Sequence, residues 1–328
     1  MPKSKAVFGL DIGYETIKLV QLSRGRNGLS LVGAVEMKLK NRILEKDQFR
    51  NQTEAANQIR EAMRLAKPYP ITAKNLVSSL PETFVFTKTV QLPKMPEREL
   101  AEAVPNEAVE FLPIPLEDVY LDYQVLIAHP DEPLLDIFVA AAPKKLVDGY
   151  VQLAKAAGLE LAALETKTFA AGRTIMAEGK SLKGVLILHI GTEFSRFSIW
   201  DANTIRLSST VSVGRNQIVE SLGLFNKDKS ETITIPPEKY GDIAQSAAPI
   251  IDEIVAAIKY HQTRDYRPSP VSKIILCGSS AAIAGLDTFI EKEVKIKTEK
   301  VDLLVSRKQS LPPQYIAAFG LALRNLYE

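Results

Sequence analysis

The sequence contains one β-hairpin pattern twice, and this repeat constrains the fold more than any other feature. The first copy is an apolar run at residues 7–10, a polar turn with Gly13 and a second strand-like run. The second copy is an apolar run at residues 185–188, a turn with Gly191 and a run at residues 195–200. Each copy continues into a third run, so each predicts a three-strand meander. The two glycines lie 178 residues apart. This spacing indicates a duplicated lobe, although two unrelated hairpins could match by chance.

Length and composition set the class of protein. A chain of 328 residues is expected to form roughly two domains. Its 46% hydrophobic and 24% charged residues are typical of a globular protein. The net charge of +2, without a dense basic run, argues against a nucleic-acid partner. The single Cys277 cannot form an internal disulfide, which fits a reducing compartment. No stretch approaches the roughly 18 apolar residues of a spanning helix, so we expect a cytoplasmic protein.

The segments after the meanders are predicted to be helical. Residues 52–66 and 248–261 carry apolar residues at helical spacing. In the second half a buried-type strand at residues 274–277 precedes a loop of glycine and serine, and the next helix is predicted to start at either Ala281 or Leu286. A strand, a loop and a helix start in this order present backbone N–H groups to a phosphate or a ribose. The signal is weak by itself, because many such connections contain glycine and serine.

A separate α+β module of about 80 residues is predicted between the two halves. Its strands are expected at residues 77–80, 84–92, 118–127 and 134–141. Its helices are expected at residues 97–111, with Pro105 in the interior, and at residues 146–157. Gly158 follows the second helix at the position where a left-handed glycine ends many helices.

The glycine turns resemble known phosphate-binding motifs. Residues 8–13 together with Lys18 resemble the first phosphate motif of the superfamily that contains actin, the heat-shock chaperone ATPases and hexokinase. Residues 189–192 stand where that superfamily has its second phosphate motif, and residues 276–280 stand where it has its adenosine motif. The insertion after the first lobe is similar to that of the PilM and FtsA branch. The resemblance implies an α/β fold with actin-like (ribonuclease H-like) duplicated lobes and an inserted small α+β subdomain.

Five strings resemble the PilM family, whose members are cytoplasmic actin-like proteins of type IV pilus assembly. The strings are residues 106–113, 119–125, 138–143, 155–159 and 317–324. They are more specific than the glycine turns, and the likeness spans nearly the whole sequence.

The family pattern predicts four parts. The first lobe comprises residues 1–78, 159–181 and 308–328, and the inserted subdomain comprises residues 79–158. The second lobe comprises residues 182–225 and 271–307, with a small outer subdomain at residues 226–270. The outer subdomain is expected to be small because residues 225–237 are polar and loop-like, where the superfamily has a helix that packs on the ribose.

The resemblance implies that ATP and Mg²⁺ bind between the lobes. The residues implied to contact the nucleotide are Asp11, Gly13, Tyr14, Glu15, Thr16, Lys18, Gly191, Thr192, Glu193, Gly214, Gly278, Ser279 and Ser280. A glycine in each turn lets the backbone approach the phosphates without a Cβ in the way. Asp11 would hold Mg²⁺ through its water shell, and Lys18 would neutralise the β-phosphate. Two alternatives stay open: Asp11 could cap the backbone of its own turn, and Lys18 could be a solvated strand lysine.

The second phosphate turn departs from the superfamily pattern. A second acid is expected for Mg²⁺, which favours one or two carboxylates, but His189 stands in its place. A neutral imidazole is a poor ligand for Mg²⁺, and an imidazolium would repel it. Glu193 and Asp201 are the candidates to replace the acid. A strand-end histidine that hydrogen-bonds to a loop is the alternative for His189.

Hydrolysis is expected to be slow at most, because the transition state would lack its second metal anchor. Glu165 lies near the position where the superfamily orients the attacking water, and it is the candidate catalytic residue. A carboxylate that accepts hydrogen bonds from N–H groups at a helix start is the alternative. Ser279 stands where the family usually has a second glycine after Gly278. Cys277 is expected to be a small core residue.

The resemblance implies an adaptor that reaches the inner membrane only through a partner. In PilM-like proteins the partner is the cytoplasmic N-terminal tail of PilN, which docks in a groove between the first lobe and the inserted domain. Carried over, the groove walls come from residues 85–90 and 107–112. The alternative is an active actin-type ATPase similar to FtsA. FtsA-like proteins end in an amphipathic membrane helix, and no such pattern is expected here. Self-association stays open.

Overall fold

The computed structural model describes residues 6–25, 28–45, 48–126, 133–177, 179–223, 233–263, 268–306 and 309–327. The strands, numbered in chain order, are β1 (Val7–Ile12), β2 (Thr16–Gly25), β3 (Gly28–Lys38), β4 (Leu44–Glu45), β5 (Gln48–Phe49), β6 (Lys67–Pro68), β7 (Asn75–Leu80), β8 (Phe86–Pro93), β9 (Val119–Val125), β10 (Leu134–Pro143), β11 (Glu160–Thr166), β12 (Val185–Ile190), β13 (Ser195–Asp201), β14 (Thr204–Val211), β15 (Lys273–Cys277), β16 (Lys297–Lys300), β17 (Leu303–Ser306) and β18 (Gln309–Leu311). The helices are α1 (Gln52–Leu65), α2 (Glu97–Val109), α3 (Lys144–Ala157), α4 (Lys167–Ala177), α5 (Arg215–Ser221), α6 (Tyr240–Gln262), α7 (Leu286–Val294) and α8 (Ile316–Tyr327).

The first lobe is built on a six-stranded sheet in the order β11-β7-β1-β2-β3-β6. β1 lies inside it, antiparallel to β2 and parallel to β7. All six residues of β1 are buried, as expected for a strand covered on both faces. α1 and α3 pack on this sheet and contribute Ile59 and Leu153 to its core. The side chain of Asn51 caps α1 by accepting a hydrogen bond from the backbone N–H of Glu54.

The second lobe repeats this arrangement in a five-stranded sheet, in the order β14-β13-β12-β15-β16. β12 is antiparallel to β13 and parallel to β15, as β1 is to β2 and β7. Its core is completed by α6 and α7, through buried residues such as Ile254 and Phe289. The duplicated lobe predicted from the hairpin repeat is therefore confirmed.

The inserted module is a three-stranded antiparallel sheet in the order β8-β10-β9, with α2 packed on it. Two elements that the sequence analysis placed in this module belong with the first lobe. The strand expected at residues 77–80 is part of β7, which pairs with β1 and β11. α3 shares the core of α1, and it ends at Gly158 in the left-handed region, as expected. The boundaries of the four-part division stay a prediction.

α6 is longer than the sequence predicts. It begins at Tyr240, eight residues before the expected start. The expected start at residue 248 rested on the spacing of apolar residues after it, and it lay beside Pro249. In the structure Pro249 lies inside the helix, and buried Tyr240, Ile243 and Ala247 extend the apolar face.

Most of the polar segment at residues 225–237 lies outside the described residues. Its last part is described, and Ile233 and Ile235 are buried in the core of the second lobe. Thr234 forms a parallel bridge with Ala284, so this part of the segment is joined to the second lobe.

Helices α4 and α8 pack tightly on each other, and small residues permit their close approach. A Cβ on Gly320 of α8 would lie 1.8 Å from the carbonyl oxygen of Ala170 in α4. A Cβ on Gly9 of β1 would lie 2.0 Å from the carbonyl oxygen of Ala318 in α8. The core around these helices also contains Trp200 of β13. The two sheets therefore share one core, and the cleft between the lobes lies beside it.

Candidate functional site

The two glycine turns have matching backbone geometry and line the same cleft between the lobes. The Gly13 N–H donates to the carbonyl oxygen of Thr16 at 2.9 Å, and the Gly191 N–H donates to that of Phe194 at 3.0 Å. A Cβ on either glycine would lie 2.9 or 3.0 Å from the same carbonyl oxygen. The turns follow β1 and β12, the equivalent strands of the two sheets. The repeat in the sequence thus builds a pair of tight loops around one cleft.

Asp11 is buried near the end of β1 and lines the cleft. The Nζ of Lys167 lies 2.6 Å from its Oδ1, and the hydroxyl of Ser79 donates to the same oxygen at 2.9 Å. Burial by itself would raise the pKa of this carboxyl. The ammonium groups of Lys167 and Lys18 outweigh burial and hold the pKa of Asp11 well below its usual range. The carboxylate is ionised, and these partners come from α4 and β7 instead of its own turn.

Lys167 is the cleft residue that sequence analysis missed. It opens α4 directly after β11, and its Nζ also donates to the carbonyl oxygen of Ile12 at 3.2 Å. Its side chain is only 10% exposed. Burial lowers the pKa of Lys167, and Asp11 opposes this effect only in part. The signal that could have found it is a lysine at a strand-to-helix junction, two residues after Glu165.

Lys18 is buried in the structure and is not a solvated strand lysine. Its Nζ donates to the hydroxyl of Thr16 at 2.8 Å and lies 3.2 Å from a carboxylate oxygen of Glu36. It stands directly across β1 and β2 from Asp11. The cleft therefore receives one positive charge from β2, already balanced by a carboxylate on β3.

His189 and Arg196 are the second-lobe counterparts of Asp11 and Lys18. They face each other across β12 and β13, as Asp11 and Lys18 do across β1 and β2. The Nε of Arg196 lies 3.1 Å from a carboxylate oxygen of Glu82. The basic position of the repeat is kept, and its acidic position is replaced by an imidazole.

The imidazole of His189 is neutral at pH 7. Burial, followed by the neighbouring cations Arg196 and Lys167, lowers the pKa of His189 to about 3. The ring lies over Gly278, where a Cβ would be 2.3 Å from Cδ2. Gly278 also has φ 85°, a left-handed conformation that favours glycine. This glycine therefore makes room for the ring.

Both candidates for the missing acid are engaged with partners of their own. Glu193 lines the cleft and is ion-paired with Arg42. Asp201 lies at the opposite end of β13, where it accepts hydrogen bonds from the backbone N–H groups of Ala202 at 3.1 Å and Ser269 at 2.9 Å. Asp201 thus supports a turn away from the cleft.

The donor set of the cleft does not fit the expected Mg²⁺ site. Mg²⁺ takes oxygen ligands, usually from one or two carboxylates. Of the two carboxylates that line the cleft in the described part of the chain, Asp11 is paired with Lys167 and Glu193 with Arg42. Among the described residues, no group of three or more histidine, cysteine, aspartate or glutamate side chains could hold a metal ion.

The donor set does fit a phosphate group. Three cationic side chains line the cleft, those of Lys18, Lys167 and Arg196. The tight turns at Gly13 and Gly191 leave no side chain between the backbone and a ligand. The expected nucleotide residues that line the cleft are Asp11, Gly13, Tyr14, Thr16, Lys18, Gly191, Thr192, Glu193 and Ser279.

The other expected nucleotide residues lie outside this lining. The carbonyl oxygen of Glu15 accepts a hydrogen bond from Leu39 at 2.8 Å. A Cβ on Gly214, just before α5, would lie 2.7 Å from the backbone of the second turn. The hydroxyl of Ser280 is buried without a hydrogen-bond partner, and Gly278 packs against His189. Gly214 and Gly278 permit close packing of the backbone around the loops.

The two turns contact each other and close the cleft. The rings of Tyr14 and Phe194 lie 5.6 Å apart, and the guanidinium of Arg42 lies 5.5 Å from the centre of the Tyr14 ring. Arg42 also pairs with Glu193 of the other lobe. The remaining cavity has a volume of about 60 Å³, well below the roughly 300 Å³ of a small-ligand pocket. A nucleotide would enter only if these contacts opened.

Glu165, the candidate catalytic residue, lies in a different site. Its carboxylate accepts hydrogen bonds from Arg173 at 2.8 and 3.1 Å and from Arg324 at 2.5 Å. It stands in β11 and lines a groove between the first lobe and the inserted module. In this arrangement the carboxylate joins α4 and α8 to β11, and the described N–H partners are guanidinium groups instead of a helix start. A role in orienting water stays a prediction that this geometry does not support.

The groove between the first lobe and the inserted module has a volume of about 600 Å³. Its walls are β9 and β10 on one side and the ends of β11 and α4 on the other. Of the walls expected at residues 85–90 and 107–112, only Val85 lines it in the described structure. Thr87, Lys88 and Phe111 instead line a second pocket, which faces β14 of the second lobe. The expected walls are therefore wrong except for Val85. The reason is that β8 and β9 are opposite edges of one sheet, so the groove beside β9 is not lined by β8.

Cys277 is a core residue, as expected. It is buried in β15, and its thiol lies 3.4 Å from the carbonyl oxygen of Leu188. Burial raises the pKa of this thiol well above its usual range. In the described part of the chain, none of the helices is long and apolar enough to cross a membrane.

Comparison with known proteins places the chain among actin-like proteins. The model of a family described as type IV pilus assembly protein PilM matches residues 9–326. A solved PilM-PilN type IV pilus biogenesis complex contains a similar chain, with a TM-score of 0.81, 24% identity, and coverage of 99% of both chains. The ethanolamine utilization protein EutJ from Carboxydothermus hydrogenoformans has a TM-score of 0.55 and 12% identity, over 98% of this chain and 90% of that one.

MreB5 of Spiroplasma citri, solved with bound AMPPNP, also has a TM-score of 0.55 and 12% identity, over 99% of this chain and 98% of that one. At these identities the likeness shows the fold, and the predicted actin-like α/β class is confirmed.

Proposed function

The chain belongs to the PilM family of type IV pilus assembly proteins, and on that premise we propose that it is a cytoplasmic adaptor for a PilN-like inner-membrane protein. The adaptor binds the cytoplasmic N-terminal tail of that protein and reaches the inner membrane through it. The observation that carries this proposal is the 600 Å³ groove between the first lobe and the inserted module.

The groove offers a backbone edge to an extended peptide. β9 is an edge strand of the three-stranded sheet, since it pairs with β10 alone in that sheet. An edge strand presents N–H and C=O groups that an added strand can pair with. Tyr120, Asp122 and Gln124 of β9 are exposed on this strand and line the groove. The proposed mode is therefore addition of the tail as a strand along β9.

The floor of the groove combines apolar and charged contacts. Phe138 and Phe169 line it and lie edge to face, with ring centres 4.9 Å apart. Arg173 and Arg324 line it with one carboxylate, Glu165, between them. The two arginines and one glutamate carry a net positive charge. The floor therefore suits a tail whose apolar residue packs on the two rings and whose next residue has a hydrogen-bond acceptor for an arginine. The complex of a similar chain named PilM-PilN supports this choice of partner.

Replacing Asp122 by tryptophan is expected to weaken binding of the tail about tenfold or more, because the indole would fill the groove beside β9. The probe is a fluorescein-labelled peptide with the cytoplasmic N-terminal sequence of the PilN-like protein from the same genome. Fluorescence anisotropy measures its affinity for the full chain. The matched control is Asp252→Trp on an exposed part of α6, which should bind as the wild type does. An unbound peptide, or equal binding by Asp122→Trp, would contradict the proposal.

The interlobe cleft is proposed to bind ATP. The support is the pair of glycine turns, the three cations around them, and the nucleotide held by MreB5, whose fold is similar. Turnover is expected to be slow, because Glu165 lies in the groove and a neutral His189 replaces the second acid. ATP binding is thus proposed to stabilise one arrangement of the lobes.

Titration calorimetry with ATP in a Mg²⁺-containing buffer tests this second part. The wild type is expected to give saturable heat, and Lys18→Met is expected to bind about tenfold more weakly, because a charge-assisted contact to phosphate is lost. Lys155→Met, an exposed lysine of α3, is the matched control. Absence of heat from the wild type would exclude the nucleotide and leave the adaptor proposal to the peptide experiment.

A further inference from the structure

The position expected for a magnesium ligand is occupied by an internal ion pair. The Oδ1 of Asp11 lies 2.6 Å from the Nζ of Lys167 and accepts a hydrogen bond from the hydroxyl of Ser79 at 2.9 Å. Lys167 is held in place by a further bond to the carbonyl oxygen of Ile12. Both side chains are almost fully buried. A metal ion at Asp11 would have to displace an ammonium group that is already seated there.

The surrounding charge disfavours a divalent cation. Lys18, Lys167 and Arg196 all line the cleft. Each has a carboxylate partner, which is Glu36, Asp11 and Glu82 in turn, but of these partners only Asp11 is in the described lining. The second carboxylate of the lining, Glu193, is held by Arg42 at the contact between the two turns. The lining thus has more cations than unpaired carboxylates, and this excess disfavours an added divalent ion, since charges in a buried site are poorly screened. A polyphosphate would be attracted by the same set.

The difference between the two copies at the acidic position of the repeat has the same consequence. Where the first lobe has Asp11 opposite Lys18, the second has His189 opposite Arg196. A neutral imidazole is a poor ligand for Mg²⁺, and with no carboxylate at position 189 Arg196 has no acidic neighbour across the strand pair. Arg196 keeps a partner in Glu82, which stands outside the cleft lining. The second lobe therefore contributes positive charge and no oxygen ligand from this strand pair.

From these contacts we infer that the cleft binds the phosphates of a nucleotide without a divalent metal ion, with the ammonium group of Lys167 in the electrostatic role of Mg²⁺. Asp11 then serves to position Lys167 and does not coordinate a metal. The inference rests on the proposed nucleotide site and specifies how its charge is balanced. It predicts that a chelator leaves nucleotide binding intact, which a magnesium site would not allow.

The test measures ATP binding to the wild type by calorimetry in EDTA and in MgCl₂. The two dissociation constants are expected to agree within about threefold, whereas tenfold or weaker binding in EDTA would overturn the inference. Such a result would leave the proposed nucleotide site standing, so the two failures are distinguishable. Absence of binding in both buffers would overturn both.

Two variants separate the roles of the ion pair. Lys167→Met in EDTA is expected to bind ATP at least about tenfold more weakly, since a charge-assisted contact is lost, and Lys155→Met serves as the control. Asp11→Asn keeps Lys167 and removes the competing carboxylate, so its affinity in EDTA should equal or exceed that of the wild type. Weaker binding by Asp11→Asn in MgCl₂ but not in EDTA would instead indicate a metal ligand and contradict the inference. This second variant keeps the test open if Lys167→Met folds poorly.

Discussion

Replacing Lys167 by methionine is expected to lower the free energy of unfolding by about 3 kcal/mol at neutral pH, because it leaves a buried carboxylate without its partner. Methionine is similar in length, so the change removes the charge with little loss of packing. Asp11 keeps its hydrogen bond from Ser79 and the charge of Lys18 across the strand pair. Lys18 is already paired with Glu36, so these contacts do not offset the cost of burying an ionised group. The measurement is urea denaturation followed by circular dichroism.

The effect of Lys167→Met should depend on pH. In the wild type the pKa of Asp11 lies below its unfolded value of about 3.9. The stability contributed by its ionisation is therefore present above that pH and is lost as the pH falls through the folded pKa. In the variant, the effect of burial on Asp11 is opposed only by Lys18 and Ser79, so the pKa of Asp11 rises and protonation relieves part of the penalty as the pH falls. The gap between wild type and variant should narrow between pH 7 and pH 5.

The double variant Asp11→Asn, Lys167→Met is the control for this interpretation. It removes both charges and should recover part of the lost stability, since replacing a buried ion pair by neutral groups is often nearly neutral. A penalty of the same size at pH 5 and pH 7, or no recovery in the double variant, would show that packing and not charge explains the effect.

Replacing Gly320 by alanine is expected to destabilise the protein by about 3 kcal/mol, at the upper end of overpacking effects. The added Cβ would lie 1.8 Å from the carbonyl oxygen of Ala170 and 2.7 Å from the hydroxyl of Thr174. The first contact is with backbone, so α4 and α8 would have to move apart. That movement would disturb the shared core and the bonds of Arg173 to the carbonyl of Gly320 and to Glu165.

The matched control is Gly241→Ala in α6, where a Cβ would meet nothing within 4 Å. Alanine is favoured over glycine in a helix by up to about 1 kcal/mol, so this variant should be as stable as the wild type or slightly more stable. Thermal unfolding of the two variants gives the comparison. Equal melting temperatures would contradict the close packing of α4 on α8.

The strands around the peptide groove show that a sequence pattern can locate a strand without identifying the strand it pairs with. Residues 77–80 and 84–92 both read as apolar strands, and the sequence analysis placed both in one module. β7 instead pairs with β1, whereas β8 pairs with β10. An alternating or buried run specifies a strand and not its partner, because the partner is chosen by contacts far away in sequence.

The charged residues of the cleft could likewise be predicted only in part from the sequence. Asp11, Lys18 and His189 could be located from the repeat, because each has a fixed offset from a turn glycine. Lys167 has no such offset, since it comes to Asp11 from 156 residues further along the chain. Its charge changes the interpretation of the cleft from a metal site to a site whose cation is a side chain.

The sequence by itself determined the duplicated lobe, the paired glycine turns and the family, because these depend on local periodicity, on turn residues and on strings of neighbouring residues. The tertiary structure decided which charges meet in the cleft, where Lys167 pairs with Asp11 and Arg42 pairs with Glu193. It also decided which strand edge borders the groove. These contacts join residues distant in the chain, and their strength comes from burial, which removes the water that would otherwise screen each charge.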